Sequence, residues 1–243
     1  MESLEFTTNR LCTLKGWLWR VNDPVGVVIG VHGYKRHGRE KKFIELAKVL
    51  NASGMNLLTF DFAGCGESRE GLCEMSFVSM VDDLACAVEF VKNTWKLPIH
   101  VFAHSLGACI AVMFQERAKV FDKLVFMAPA LDQKSLQRYW FARKSNRGLT
   151  WKEFVKRKIT EKSFEKSLKS FYAKQAAKLD FRKAFAKISD KSLLIHGTSD
   201  IVVPFESVNC SFIETFIIPG GDHDLESESS IGLWTKILRR FVI

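Results

Sequence analysis

Residues 101–107 constrain the fold more than any other stretch of the chain. Val101, Phe102, Ala103 and His104 form an apolar run that reads as a strand, and residues 108–117 carry a helical pattern. Only Ser105, Leu106 and Gly107 separate the two. A strand that enters a helix this abruptly makes a sharp corner, and the serine stands on it. Such a corner lifts the hydroxyl clear of its neighbours. It also aims the first unpaired N–H groups of the helix at whatever that hydroxyl meets. A helix N-cap is the commoner use of a serine here, so the rest of the chain must decide between the readings.

The surrounding rhythm supports a sheet covered by helices. Residues 11–20, 26–31, 56–62, 99–103, 123–127, 192–195 and 215–218 read as strands. Helical spacing recurs over 40–50, where Phe43, Ile44, Ala47 and Leu50 share a face, over 76–95, and over 229–241. Short apolar strands alternating with amphipathic helices predict a mostly parallel sheet with helices on both faces.

The rhythm breaks between Pro129 and Ser189. Three helical patterns follow one another there without a strand: residues 135–142, a run from Thr150, and a run through Phe164, Leu168, Phe171 and Tyr172. The second begins with Thr150 and Glu153 at capping-box spacing and carries Trp151, Phe154, Val155 and Ile159. The charge concentrates in the same place. Residues 131–190 hold 17 Lys/Arg against 6 Asp/Glu, a balance of +11, so the rest of a chain with net charge +9 stands at −2. Residues 131–190 therefore read as a basic helical insertion. Residues 1–130 and 191–243 form the core.

Polar groups collect just past the predicted strands, where open α/β sheets bind ligands. His32, Gly33 and Tyr34 follow one strand, and Ser105 follows another. Asp200 closes a segment after the strand 192–195, and Asp222, His223 and Asp224 follow the strand 215–218. Serine, acid and histidine occur in that chain order. In such a set His223 takes the serine proton, Asp200 orients the imidazole, and the backbone N–H groups of Leu106 and Tyr34 receive a developing oxyanion. Asp222 and Asp224 are rival partners for His223, although sequence neighbours usually point apart. Asp61 reads as a turn residue, and His32, His37 and His104 as structural or pocket-lining groups.

On these residues the chain resembles the serine hydrolases of the α/β-hydrolase superfamily, with Ala103-x-Ser105-x-Gly107 in place of Gly-x-Ser-x-Gly at the nucleophile elbow. The resemblance covers residues 32–223. The segments His32-Gly33-Tyr34, Asp61-Phe62-Ala63-Gly64-Cys65-Gly66-Glu67-Ser68, Ile195-His196-Gly197-Thr198-Ser199-Asp200-Ile201-Val202-Val203 and Gly221-Asp222-His223 are similar to bacterial cinnamoyl/feruloyl esterases and monoacylglycerol-lipase-like hydrolases. It implies an eight-stranded, mostly parallel sheet with an inserted helical cap after the sixth strand. It also implies cleavage of a carboxylic ester through an acyl-enzyme, without metal or organic cofactor. Ala103 adds one methyl where the family has glycine, which a tight elbow tolerates. Trp140, Phe141, Trp151 and Tyr172 are the candidate pocket residues of the cap.

Other functions compete with this reading. Lysophospholipase, thioesterase or S33-type peptidase activity uses the same serine, and a basic cap favours an anionic substrate. Epoxide hydrolases and dehalogenases place Asp where Ser105 stands. A scaffold whose basic cap binds an anionic membrane or acidic partner is the non-enzymatic alternative. No nucleic-acid motif accompanies the charge, and oligomeric state is not encoded in any pattern here. The acidic start of the chain lacks a signal-peptide pattern. Cysteines 12, 65, 73, 86, 109 and 210 are scattered, without metal spacing, and read as buried free thiols of a cytoplasmic protein.

Overall fold

A computed structural model of the chain describes residues 1–68, 75–157, 161–208 and 211–242. Among them the order is β1 (Glu2–Thr7), β2 (Thr13–Trp19), β3 (Gly26–Val31), α1 (Lys41–Asn51), β4 (Met55–Phe60), α2 (Phe77–Thr94), β5 (Ile99–His104), α3 (Leu106–Ala118) and β6 (Leu124–Met127). It continues with α4 (Gln133–Ser145), α5 (Trp151–Phe154), α6 (Glu161–Ser167), α7 (Phe171–Ala176) and α8 (Arg182–Ala186). Then come β7 (Ser192–Gly197), α9 (Phe205–Val208), β8 (Glu214–Ile218) and α10 (Glu228–Val242).

The strands form one sheet of order β1-β2-β4-β3-β5-β6-β7-β8. β1 pairs antiparallel with β2, and β2 with β4; the other pairings are parallel. β3 to β7 are buried along their whole length, as continuous apolar strands covered on both faces should be. The two-residue period sorts their side chains between two layers. Val27, Ile29 and Val31 face the core under α2 and α3, while Val28 faces the core under α1 and α10. The expected eight-stranded, mostly parallel sheet is thus present. β1 is absent from the expected strands because it is an edge with Phe6 as its one buried residue, so it carries little apolar signal.

Register aligns the ends that matter. Val31 pairs with Ala103, His104 with Met127, Met127 with Ile195, and Gly197 with Ile218. The segments after β3, β5, β6, β7 and β8 therefore open on one edge of the sheet.

Between β6 and β7 the chain runs through α4 to α8. α5, α6 and α7 each pack on α4, around Leu136, Tyr139, Leu149, Phe154 and Ala176. The expected helix through Phe164, Leu168, Phe171 and Tyr172 is two helices. α6 ends at Ser167, and the Ser170 hydroxyl caps α7 by accepting the Ala173 N–H at 3.1 Å. Thr150 and Glu153 form a reciprocal capping box, but α5 stops at Phe154 and leaves Val155 60% exposed. Ile159 lies outside the described residues.

Cys65, Cys86 and Cys109 are not disulfide-bonded, and the first and last are buried. Cys12 is disulfide-bonded, which corrects the expectation of free thiols throughout. Scattered spacing argues against a metal site but says nothing about distance in the folded chain. Cys73 and Cys210 lie outside the described residues. No helix among the described residues is long and apolar enough to cross a membrane.

Candidate active site

Ser105 follows the last residue of β5 with φ 53° and ψ −116°, a left-handed backbone that costs a non-glycine residue about 1–3 kcal/mol. The strain is held by its surroundings. The Ser105 N–H donates to the Met127 carbonyl (3.0 Å), and its own carbonyl accepts from Ala108 and Ala130 (3.2 Å each). Gly107 permits the corner, since a Cβ there would lie 2.5 Å from the Val31 carbonyl oxygen. Ala103 is fully buried in β5. The N-cap reading of Ser105 does not hold, because its hydroxyl makes no bond to α3. Its Oγ instead lies 3.0 Å from Nε2 of His223.

His223 Nδ1 lies 2.7 Å from Oδ2 of Asp200. This arrangement places a proton on Nδ1 and leaves Nε2 free to accept from the serine. Asp200 has a fully buried side chain, and its Oδ1 accepts from the N–H groups of Val202 and Val203 at 2.8 Å each. Burial pushes this carboxyl up, but the bonds and charges of His196 and His223 outweigh burial and hold it at about 2. The loops that carry Asp200 and His223 cross at van der Waals distance. A Cβ on Gly197 would sit 2.1 Å from the Gly221 carbonyl oxygen, to which the Ser199 N–H donates at 2.9 Å. Asp222 accepts the Leu225 N–H and so closes its own turn, while Asp224 is bound by Arg36.

Two further histidines support this set and were not assigned to it from the sequence. His104 is buried, donates from Nε2 to the His223 carbonyl at 3.0 Å, and packs its ring 4.8 Å from the His223 ring. Burial, with Lys42 and His223 nearby, holds His104 well below the usual histidine range, so it is neutral. His196 Nε2 lies 2.8 Å from the Val203 carbonyl and 3.3 Å from Asp200 Oδ2. Both stand near the C-terminal ends of their strands, a position that could have marked them. His32 accepts the Phe62 N–H at Nε2 and donates to the Gly33 carbonyl, which shapes the loop before Tyr34. Burial lowers its pKa to about 3. Asp61 is buried and accepts the N–H groups of Gly38 and Glu67, the turn-forming role expected of it.

Ser105, His223, Leu106 and Tyr34 open onto a cavity of about 410 Å³. Among the described residues, neither the Leu106 nor the Tyr34 amide has a backbone acceptor. The cap side is walled by Gln133, Gln137 and Trp140 of α4, spaced i, i+4, i+7 on one helical face, and by Tyr172 and Ala173 of α7. Trp140 and Tyr172 thus stand where the sequence reading put them. Phe141 and Trp151 do not: Phe141 packs edge-on against Phe164, and Trp151 against Tyr139 and Phe154. Phe141 follows Trp140 on the helix and so points to another side. The cap is tied down at two points. Trp140 Nε1 donates to the Val202 carbonyl at 2.6 Å. Tyr172 is sandwiched between Tyr34 (4.8 Å) and Phe77 (5.2 Å), and Phe77 stacks in turn on Phe181.

Beside the cavity lies an ionic cluster. Arg36 binds both oxygens of Asp224 (2.7 and 2.6 Å), and fully buried Lys42 lies 2.8 Å from Glu226 and 3.2 Å from Glu40. It fastens the segment after β3, which carries Tyr34, to the segment after β8, which carries His223.

The sheet order and inserted helices define the α/β-hydrolase fold. The chain belongs to the family described as serine aminopeptidase, S33, whose model matches residues 22–179, more than half of the sequence. Phospholipase YtpA of Bacillus subtilis is 27% identical over 119 residues, 47% of this chain and 44% of that protein. The matched stretch thus spans less than half the length of that curated relative. Est1E from Butyrivibrio proteoclasticus, solved with ferulic acid bound, superposes with a TM-score of 0.76 at 18% identity, over 98% of this chain and 97% of that one. The Pyrococcus furiosus esterase Pf2001 gives 0.74 at 20% identity, over 99% and 89%.

Proposed function

We propose that the protein hydrolyses a carboxylic ester of a small or medium acyl group through a covalent acyl-enzyme. The Ser105–His223–Asp200 hydrogen-bond chain, with its hydroxyl open to the cavity, is the observation that carries this reading. Ser105 Oγ attacks the carbonyl carbon while its proton passes to His223 Nε2. Asp200, ionised and buried, holds the ring and stabilises the imidazolium. The carbonyl oxygen becomes an oxyanion beside the Leu106 and Tyr34 N–H groups. Collapse expels the alcohol, which takes the proton from Nε2. Water then attacks the acyl group by the same path, giving the acid and restoring Ser105.

The cavity favours an ester over a free amino-terminal peptide. A peptide ammonium needs an available carboxylate, and Asp224, the carboxylate on the wall, is occupied by Arg36. The similarity to the phospholipase YtpA and to Est1E, a protein solved with ferulic acid bound, agrees with ester chemistry. We assign the cap to residues 131–190, with Trp140 and Tyr172 as pocket walls. Cys65, Cys86 and Cys109, which carry no disulfide, support a cytoplasmic setting, whereas the Cys12 disulfide weighs against it.

A fluorophosphonate probe tests the nucleophile. Labelling of the native protein and its loss in Ser105→Ala are expected; a native protein that does not react refutes the proposal. Nitrophenyl esters of graded length, methyl ferulate, a monoacylglycerol and an aminoacyl anilide, compared on both proteins, then rank the substrate class.

A further inference from the structure

The cap carries its charge outward. Lys144 at the end of α4, Lys152 and Lys156 at α5, Lys162 and Lys166 on α6, and Lys174 on α7 are all exposed. Among the described residues none of the six forms a salt bridge. This differs from the core, where Arg36, Lys42 and Arg10 are paired with carboxylates. It also differs from Arg182 at the base of the cap, which binds Asp132 and Asp180. Since α5, α6 and α7 pack on α4, the unpaired cations belong to one helical layer. That layer also presents apolar groups to water: Val155 is 60% exposed and Phe171 51%.

We propose that this layer docks on an anionic lipid bilayer. Cations alone would suit any polyanion. Cations interleaved with an exposed aliphatic and an exposed aromatic side chain suit a surface with charged headgroups above an apolar phase. The position of the cavity agrees. Its cap-side wall is α4 and α7, and Phe171 adjoins Tyr172 and Ala173 of that wall. Docking therefore sets the cavity beside the lipid, where a sparingly soluble ester would enter. The docking surface stands on charge and exposure alone; only this route of substrate entry rests on the ester-hydrolase reading.

Co-sedimentation of the full chain with phosphatidylcholine vesicles, with and without phosphatidylglycerol, tests the proposal. Binding is expected with phosphatidylglycerol at low salt, falling as salt screens the charges. Lys152→Glu, Lys156→Glu and Lys162→Glu together should weaken it by about tenfold or more, with hydrolysis of a short soluble ester unchanged. Phe171→Ser should weaken it at constant charge. Ser105→Ala should bind as the native protein does, which separates failure of docking from failure of catalysis. Equal sedimentation with both vesicles at low salt overturns the proposal. So does a tighter hold on random-sequence RNA that Phe171→Ser leaves unaltered.

Discussion

Asp200 keeps its charge where burial alone would remove it, and two consequences follow at the level of the single residue. Asn in its place preserves the shape but turns an N–H₂ toward His223 or loses the bond, which favours the wrong imidazole tautomer. Asp200→Asn should lower kcat on a nitrophenyl ester by roughly 10³–10⁴-fold while leaving KM within a fewfold. The second consequence concerns stability. Its two histidine partners hold the carboxyl at about 2 in the fold, against an ordinary 3.8. Its contribution is therefore complete above the unfolded value and is lost as pH falls toward the folded one. The native protein should exceed Asp200→Asn by about 2 kcal/mol in urea unfolding around pH 6, and the gap should shrink below about pH 4 and be nearly gone at about pH 2. An equal gap at both pH values would contradict the assignment. Ser105, Asp200 and His223 were legible because each is a polar residue just past an apolar strand. His196 and His104 were not, because their roles depend on a carbonyl and a carboxylate that only the folded loops bring near.

The elements that bear these residues are positioned by interactions with large sequence separation. α1 and the turn before α10 meet through Lys42, Glu40, Asp224 and Glu226, with Arg36 on the outer side. Burial holds the Glu40 carboxyl above its ordinary range, although Lys42 and Arg36 oppose the shift. Nothing in the spacing of positions 36, 40 and 42 announces partners at 224 and 226, so this clasp was invisible in the sequence. Lys42 has no exposed side-chain surface, and its removal leaves Glu226 without its cation and buried Glu40 with Arg36 alone. Lys42→Met should therefore cost about 3–5 kcal/mol in urea unfolding. Adding Glu226→Gln should recover part of the loss, since it removes one uncompensated charge. Activity on a short ester should fall with the clasp, because it joins the loops of Tyr34 and His223. A double variant no more stable than the single one would show that Lys42 acts by packing alone.

At the scale of the whole molecule, the sheet rhythm and its interruption were readable because apolar period survives in a single sequence. The division of the cap aromatics between cavity and packing was not, because Trp140 and Phe141 differ only in which side of one helix they occupy. What couples cap to core is the stack Tyr34–Tyr172–Phe77–Phe181, which alternates between the two parts: Tyr34 and Phe77 belong to the core, Tyr172 and Phe181 to the insertion. Tyr172 is 6% exposed, and truncating a buried ring costs about 3–5 kcal/mol. That loss should fall mainly on docking of the cap, since the two rings facing Tyr172 are core residues. Trypsin is the suitable probe, because the cap is rich in exposed lysines. Tyr172→Ala should be cut within residues 144–178 at least about tenfold faster than the native protein, with opening governed by the lost docking energy. A short fluorophosphonate should still label Ser105, whose bonds lie in the core, while KM for a longer ester rises as the wall is lost. Phe171→Ala supplies the control, being half exposed and outside the stack, and should change trypsin cleavage little. If Tyr172→Ala is instead cleaved throughout the core at the same rate as in the cap, the two parts unfold as one unit. The stack would then be ordinary core packing, with no separate hold on the cap.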